Sequence, residues 1–198
     1  MLGSTRNNPN ENYAREILQL FTIGLVMLNQ DGTPQLDNNG DPIPSYTQDT
    51  VNNFTEVFTG WQLCSQAVAT CPNNIGSGVL NYVDPMLLNQ NLHNVTTKTL
   101  LNYPGAQNVN LPANQNGMTD LNQALDNIFN HPNVGTFVSK LMIQHMVTSD
   151  PTPAYVSRVA GVFNNNGQGV RGDMKSVVRA ILLDPEARGS IKTDPNYG

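Results

Sequence analysis

The stretch "NENYARE", Asn10 to Glu16, brings two carboxylates, one guanidinium and two carboxamides together within a few residues. Carboxyl pairs perform acid–base work when they stand about 5 to 9.5 Å apart across a scissile bond, as in glycoside hydrolysis. On a helix, Glu11 and Glu16 lie about 140° apart around the axis. They point to different sides and fail as a self-contained pair. The side chains that do face each other at i, i+4 are Glu11 with Arg15 and Asn12 with Glu16. Glu16 borders the apolar side of the same helix, where partial desolvation disfavours a bare carboxylate. It is therefore the candidate general base, and its partner must come from elsewhere in the chain.

His93 is that candidate partner. It stands in "NLHNVTTKTLL", a stretch without clear periodicity, where binding residues concentrate. Arg15 or Lys98 would then anchor a substrate or stabilise an oxyanion. Of the other histidines, His131 precedes Pro132 and reads as a cap or surface residue, and His145 reads as a satisfied core residue on an apolar helix. Their spacing offers no zinc signature. No G-x-S-x-G elbow is present, and neither cysteine has the electropositive setting of a reactive thiolate. Asp37, Asn39 and Asp41 alternate as the first ligands of a calcium loop do, but the Gly and the distal Glu are missing. A solvated turn is the better reading, calcium the weaker one, and no other cofactor is expected.

These residues need elements to hold them. Residues 10–24 form an amphipathic helix with Asn10 as N-cap, Gly24 as stop, and Tyr13, Ala14, Ile17, Leu18, Leu20 and Phe21 on one arc. Residues 25–46 contain "NQDGTPQL" followed by "DNNGDPIP", a near-repeat of turn signals that predicts short β-ribbon arms. A second helix over 47–60 starts at Thr47, ends at Gly60 and buries Val51, Phe54, Val57 and Phe58. Trp61 follows it, either packed in the core or grouped with Glu11, Asn12, Arg15 and Lys98 as a ligand contact. Residues 61–118 read as irregular, with "GVLNYV" as a candidate strand. Residues 119–188 read as a helical array: a helix capped by Thr119, one after Pro132, one capped by Thr152, and one running from Asp173 through "LLDPEAR". The expected fold is mainly α, an array of about six amphipathic helices with short β-ribbon arms and a long irregular middle segment, in a single domain.

Composition narrows the partners. The net charge is −5, charged residues make up 13%, and no two basic residues are adjacent, so nucleic acid and anionic membranes are not expected partners. No apolar run reaches the roughly 20 residues that span a bilayer. The first residues lack the basic leader and apolar middle of a signal peptide. Cys64 and Cys71 are the only cysteines, and their spacing suits either a disulfide formed in an oxidising compartment or two free thiols.

The ordered blocks "NENYAREILQLFTIG", "YTQDTVNNFTEVFTGW", "HNVTTKTLL", "HPNVGTFVSKLMIQHMV" and "RVAGVFNNNGQGVRGDMKSVVRAILLDPEAR" resemble the bacterial family known as domain of unknown function 1800. The resemblance implies a predominantly α-helical exported protein, periplasmic or secreted, with no accepted activity. It also implies that this chain corresponds to the C-terminal part of a longer family domain, as a fragment or a reading frame truncated in environmental DNA. The family usually carries an acid after the histidine of its third block. Asn94 stands there in this chain, which weakens a local His/Asp dyad or metal site. Two functions follow as expectations. One is a binding or structural role at the cell exterior, toward a glycan or another exported protein. The other is a hydrolase of a polysaccharide, ester or lactone that uses Glu16 and His93.

Overall fold

A computed structural model describes residues 1–64, 71, 73 and 80–189. The protein is mainly α, with helices α1 (Asn12–Glu16), α2 (Gln48–Val57), α3 (Gly117–Phe129), α4 (Pro132–Met146), α5 (Pro153–Asn164), α6 (Met174–Leu183) and α7 (Pro185–Arg188). Two antiparallel pairs of two-residue strands join β1 (Trp61–Gln62) to β2 (Leu87–Leu88) and β3 (Lys98–Thr99) to β4 (Asn110–Leu111). None of the described helices is long and apolar enough to cross a membrane. The chain forms two compact units. One comprises Met1–Ile17 and Thr47–Asn127; the other comprises Leu18–Tyr46 and the chain from Ile128 onward.

In the first unit, α1 packs on α2, and α2 packs on β3. Helix α2 opens with a capping box in which Thr47 Oγ1 accepts the Thr50 N–H at 3.3 Å. It buries Val51, Phe54, Val57 and Phe58, the four residues expected from its periodicity. Helix α1 departs from expectation. Asn10 accepts the Asn12 N–H at 2.9 Å one position before the cap, which Glu11 occupies. After Glu16 the helix widens to π geometry over Ile17–Thr22, ending where the Ile23 and Gly24 N–H groups both reach Leu18 O. The wider turn breaks the 100° register behind the expected arc. Ala14 and Leu18 are fully buried, whereas Leu20 is half exposed and Phe21 is 66% exposed.

Residues 25–46 form a closed three-way ring. The Met27 N–H donates to Ile43 O at 2.7 Å, Ile43 to Gln35 O at 3.0 Å, and Gln35 to Met27 O at 2.8 Å. The near-repeat in the sequence is the period of this ring: each repeat makes one side and one turn. Pro34 and Pro42 sit at single bridges with Leu28 and Leu36. Lacking an N–H, proline suits such edge positions. Asp37 Oδ1 accepts the Asn39 N–H at 2.8 Å and the Asp41 N–H at 3.0 Å, so this carboxylate serves its own turn.

In the second unit α4 packs on α5, α5 on α6 and α6 on α7. Thr152 caps α5 and Asp173 caps α6, as their sequence positions predict. The single helix expected to run through "LLDPEAR" is instead two. Pro185 cannot donate to the preceding turn, and Asp184 restarts the chain as the cap of α7. Helix α3 begins two residues before the expected Thr119 cap, because Asn116 Oδ1 takes the Met118 N–H at 2.9 Å. Residues 80–83 of the expected strand "GVLNYV" are not strand, and the rest of that stretch lies outside the described residues. His145 is exposed on α4, not buried in a core, and its Nδ1 lies 2.7 Å from Leu141 O.

A buried carboxamide holds the ring and the end of the π turn to α4. Asn133 has no exposure; its Nδ2 donates to Ile23 O at 2.8 Å and Val26 O at 2.7 Å, and its Oδ1 accepts the Leu28 N–H at 2.9 Å. Beside it, His131 caps α4, with Nδ1 accepting the Asn133 N–H at 3.1 Å. Burial and the positive charge of Arg171 hold the His131 pKa down at about 4.

An imidazole so depressed stays neutral in the fold, while in the unfolded chain it takes up a proton below its ordinary value of about 6.5. Native stability therefore falls as the pH drops from about 6.5 to about 4, by roughly 3 kcal/mol at most. His131→Asn keeps a capping side chain and removes the titration. Urea denaturation midpoints across that window are expected to slope less steeply in the variant than in the wild type.

Candidate functional site

Two of the sequence-named candidates, His93 and Lys98, meet in a cluster sealed inside the first unit. His93 follows a one-turn 3-10 helix, Gln90–Leu92, and Lys98 lies on β3; the side chains of both have no exposure. Their common partner is Asp120, equally buried, in the first turn of α3. His93 Nε2 lies 3.0 Å from Asp120 Oδ2, and Lys98 Nζ lies 2.7 Å from the same oxygen. Gln115 Nε2 donates to Asp120 Oδ1 at 2.5 Å.

Each group is satisfied around its whole valence. Lys98 Nζ also donates to Asn94 O at 2.8 Å and Thr96 O at 2.9 Å, which uses all three ammonium protons. His93 Nδ1 faces Thr59 O at 3.1 Å, so both ring nitrogens meet oxygen acceptors. Thr59 Oγ1 donates to Glu56 O at 2.7 Å and accepts the Asn94 N–H at 2.8 Å. Burial pushes the Asp120 carboxyl up, but hydrogen bonds from His93, Lys98 and Gln115 and the Lys98 charge together hold it below the usual carboxylate range.

Two glycines let the backbone close on the imidazole. A Cβ on Gly60, whose φ is +85°, would lie 2.8 Å from Asn89 O and 2.9 Å from His93 N. One on Gly117 would lie 2.9 Å from His93 Cγ and Nδ1. The glycine of the "TGW" that ends the second family-like block thus leaves room for the backbone of the histidine of the third.

The other candidates do not join this cluster. Glu16 is exposed and is not a partner of His93, whose contacts are Thr59 and Asp120. Trp61 is interior and presents no face to a ligand. Asn12 and Glu16 make no side-chain bond to each other. Glu11 and Arg15 pair at 3.0 Å as their spacing predicts, and Gln48 completes a bracket between α1 and α2. Arg15 donates to Gln48 Oε1 at 2.9 Å, and Gln48 Nε2 donates to Glu11 Oε2 at 3.0 Å. The hydrogen bonds from Arg15 and Gln48 lower the Glu11 pKa.

Among the described residues no group of three or more His, Cys, Asp or Glu is placed to hold a metal ion. Asp37 is committed to the backbone of its own turn. Cys64 and Cys71 form a disulfide with Cα atoms 5.7 Å apart. Sequence reasoning missed Thr59, Gln115 and Asp120. The usable signal was the acid absent at Asn94: a histidine beside a lysine needs a counter-ion, and the first turn of the next helix provides one.

Removing one partner of a buried pair strands the other charge, at a cost of about 3–5 kcal/mol. Lys98→Met is expected to lose that much stability by urea denaturation; a loss below about 1 kcal/mol would match a surface pair and contradict the assignment. The depressed Asp120 carboxyl contributes stability above its unfolded value of about 3.9, and that contribution disappears as pH falls through the lower folded value. Asp120→Asn should accordingly flatten the acid limb of the stability curve.

No curated protein and no solved structure matches the chain. The family model described as "Protein of unknown function (DUF1800)" matches residues 1–195, and the chain belongs to that family.

Proposed function

We propose that the chain has a binding role in an exported bacterial protein and holds a glycan at the cell exterior. The supporting observation is a groove of about 470 Å³ in the first unit, lined by Pro9, Glu11, Asn52, Thr55 and Glu56. Its polar groups are preset by the protein and still have capacity for a ligand. Glu56 Oε2 accepts Thr96 Oγ1 at 3.0 Å, leaving Oε1 without a protein partner among the described residues. Asn52 uses Oδ1 for Gln48 Nε2 at 2.9 Å, leaving its amide protons for a ligand. Free acceptors beside free donors suit sugar hydroxyls, which need both. The disulfide is compatible with an oxidising exterior compartment.

The hydrolase reading, on a polysaccharide, ester or lactone, requires Glu16 and His93 to share a substrate. An imidazole with no exposed atom cannot reach one, so this reading ranks second.

Titration calorimetry with a panel of neutral oligosaccharides tests the proposal. Binding is expected, and Glu56→Gln should weaken it about tenfold, the value of one hydrogen bond to a charged group. Absence of binding across the panel would overturn the glycan assignment. Release of reducing ends or of ester acid, abolished by Glu16→Gln, would place the hydrolase first.

A further inference from the structure

A second recess lies in the second unit, where the turn of the three-way ring faces α4. It measures about 240 Å³ and is lined by Leu28, Gly32, Phe137, Lys140, Leu141 and Gln144. Its walls are fixed by backbone contact. A Cβ on Gly24, at φ +73°, would lie 2.8 Å from Phe137 Cε2, so the glycine that ends the first family-like block sets the position of this ring. A Cβ on Gly32, at φ +82°, would lie 3.2 Å from Val156 Cγ1 and 3.5 Å from Lys140 Cδ, so the aliphatic stem of Lys140 lies along the turn. The recess is thus bounded by the ring turn on one side and two successive turns of α4 on the other.

The charge in this lining is unbalanced. Lys140 is half-buried and has neither a hydrogen bond nor an ion pair among the described residues. Asp31, next to Gly32, commits Oδ1 to Thr33, accepting its N–H at 2.9 Å and its hydroxyl at 2.6 Å. Gln144 Nε2 is likewise committed, donating to Ser149 O at 3.1 Å. A lysine without a counter-ion among the described residues thus lines an otherwise apolar hollow walled by Leu28, Phe137 and Leu141. A bound anion would give this ammonium the charge-assisted partner that the lining does not supply.

We infer that this recess binds a small monocarboxylate with an apolar body, the carboxylate on Lys140 and the body against Phe137, Leu28 and Leu141. At the roughly 30 Å³ that a water molecule occupies in the liquid, the volume holds about eight heavy atoms. That is the size of hexanoate, below the usual range for drug-sized ligands. The site is separate from the groove proposed for glycan and does not depend on it.

The test uses the whole chain with hexanoate, hexan-1-ol and hexylamine as probes, followed by ligand-observed saturation-transfer NMR. Hexanoate is expected to bind in the millimolar range, and hexan-1-ol and hexylamine at least about tenfold more weakly. Lys140→Met should weaken hexanoate about tenfold while leaving hexan-1-ol unchanged, and Lys140→Arg should retain binding within about threefold. Thermal melts of each variant establish that the fold is intact; if Lys140→Met melts early, Lys140→Gln takes its place. Hexanoate binding that ignores the Lys140 substitutions would overturn the site, as would hexylamine binding as tightly as hexanoate. Absence of saturation by hexanoate with the folded wild type would also overturn it.

Discussion

A chain with this much loop must satisfy its buried backbone N–H and C=O groups without helix or sheet ladders. Side-chain carboxamides and one buried ammonium do that here. In the first unit, Asn127 has almost no exposure; its Nδ2 donates to Leu101 O and Gln107 O, and its Oδ1 accepts the Leu101 N–H. In the second, Asn133 takes on Ile23, Val26 and Leu28 in the same way. Each carboxamide supplies two donors and an acceptor at one point, equivalent to a short piece of ladder. The Asp120 cluster extends the device with charge: Lys98 ties down two carbonyls of the Asn94–Lys98 loop, and Asp120 makes its burial tolerable. Among the described residues these networks tie the loops to the helices, and losing a single member leaves several groups unpaired at once.

This dependence explains which parts of the fold were legible in the sequence. Helices α2, α5 and α6 follow from caps and periodicity, both of which are local properties. The capping box of Thr47, the Thr152-Pro153 start and Asp173 all occur where expected. The π turn after Glu16 was not legible. Its register follows from burial of Leu18 and from the positive-φ Gly24 against Phe137, a contact across more than a hundred positions. The near-repeat of residues 29–44 was visible, but its closure into a ring was not, since the same turns also suit open hairpins.

The candidate site shows the same division. His93 and Lys98 were recognisable as chemistry-bearing residues in an irregular segment, and the structure does bring them together. Their role depends on Asp120, Thr59 and the close approach of Gly60 and Gly117, all distant in sequence. A histidine, a lysine and an aspartate converging on one oxygen resembles an acid–base centre when only residue types are considered. The side chains of His93, Lys98 and Asp120 have no exposed surface, and every polar hydrogen of Lys98 already has a partner. A catalytic group must meet substrate within hydrogen-bonding reach.

Family-specific sequence blocks can therefore arise from folding as readily as from catalysis. "NENYARE" begins the bracket that joins α1 to α2 through Glu11, Arg15 and Gln48. "TGW" opens space for the histidine of "HNVTTK", and "HPNVG" supplies the His131 cap and the Asn133 carboxamide. The last two of these pair a polar side chain with the glycine or cap that allows it close contact. Groups with spare hydrogen-bonding capacity lie elsewhere, at Glu56 and Asn52 in one unit and at Lys140 in the other. None of these three stands out by residue type. Their claim to function rests on what remains unpaired after the fold has satisfied itself.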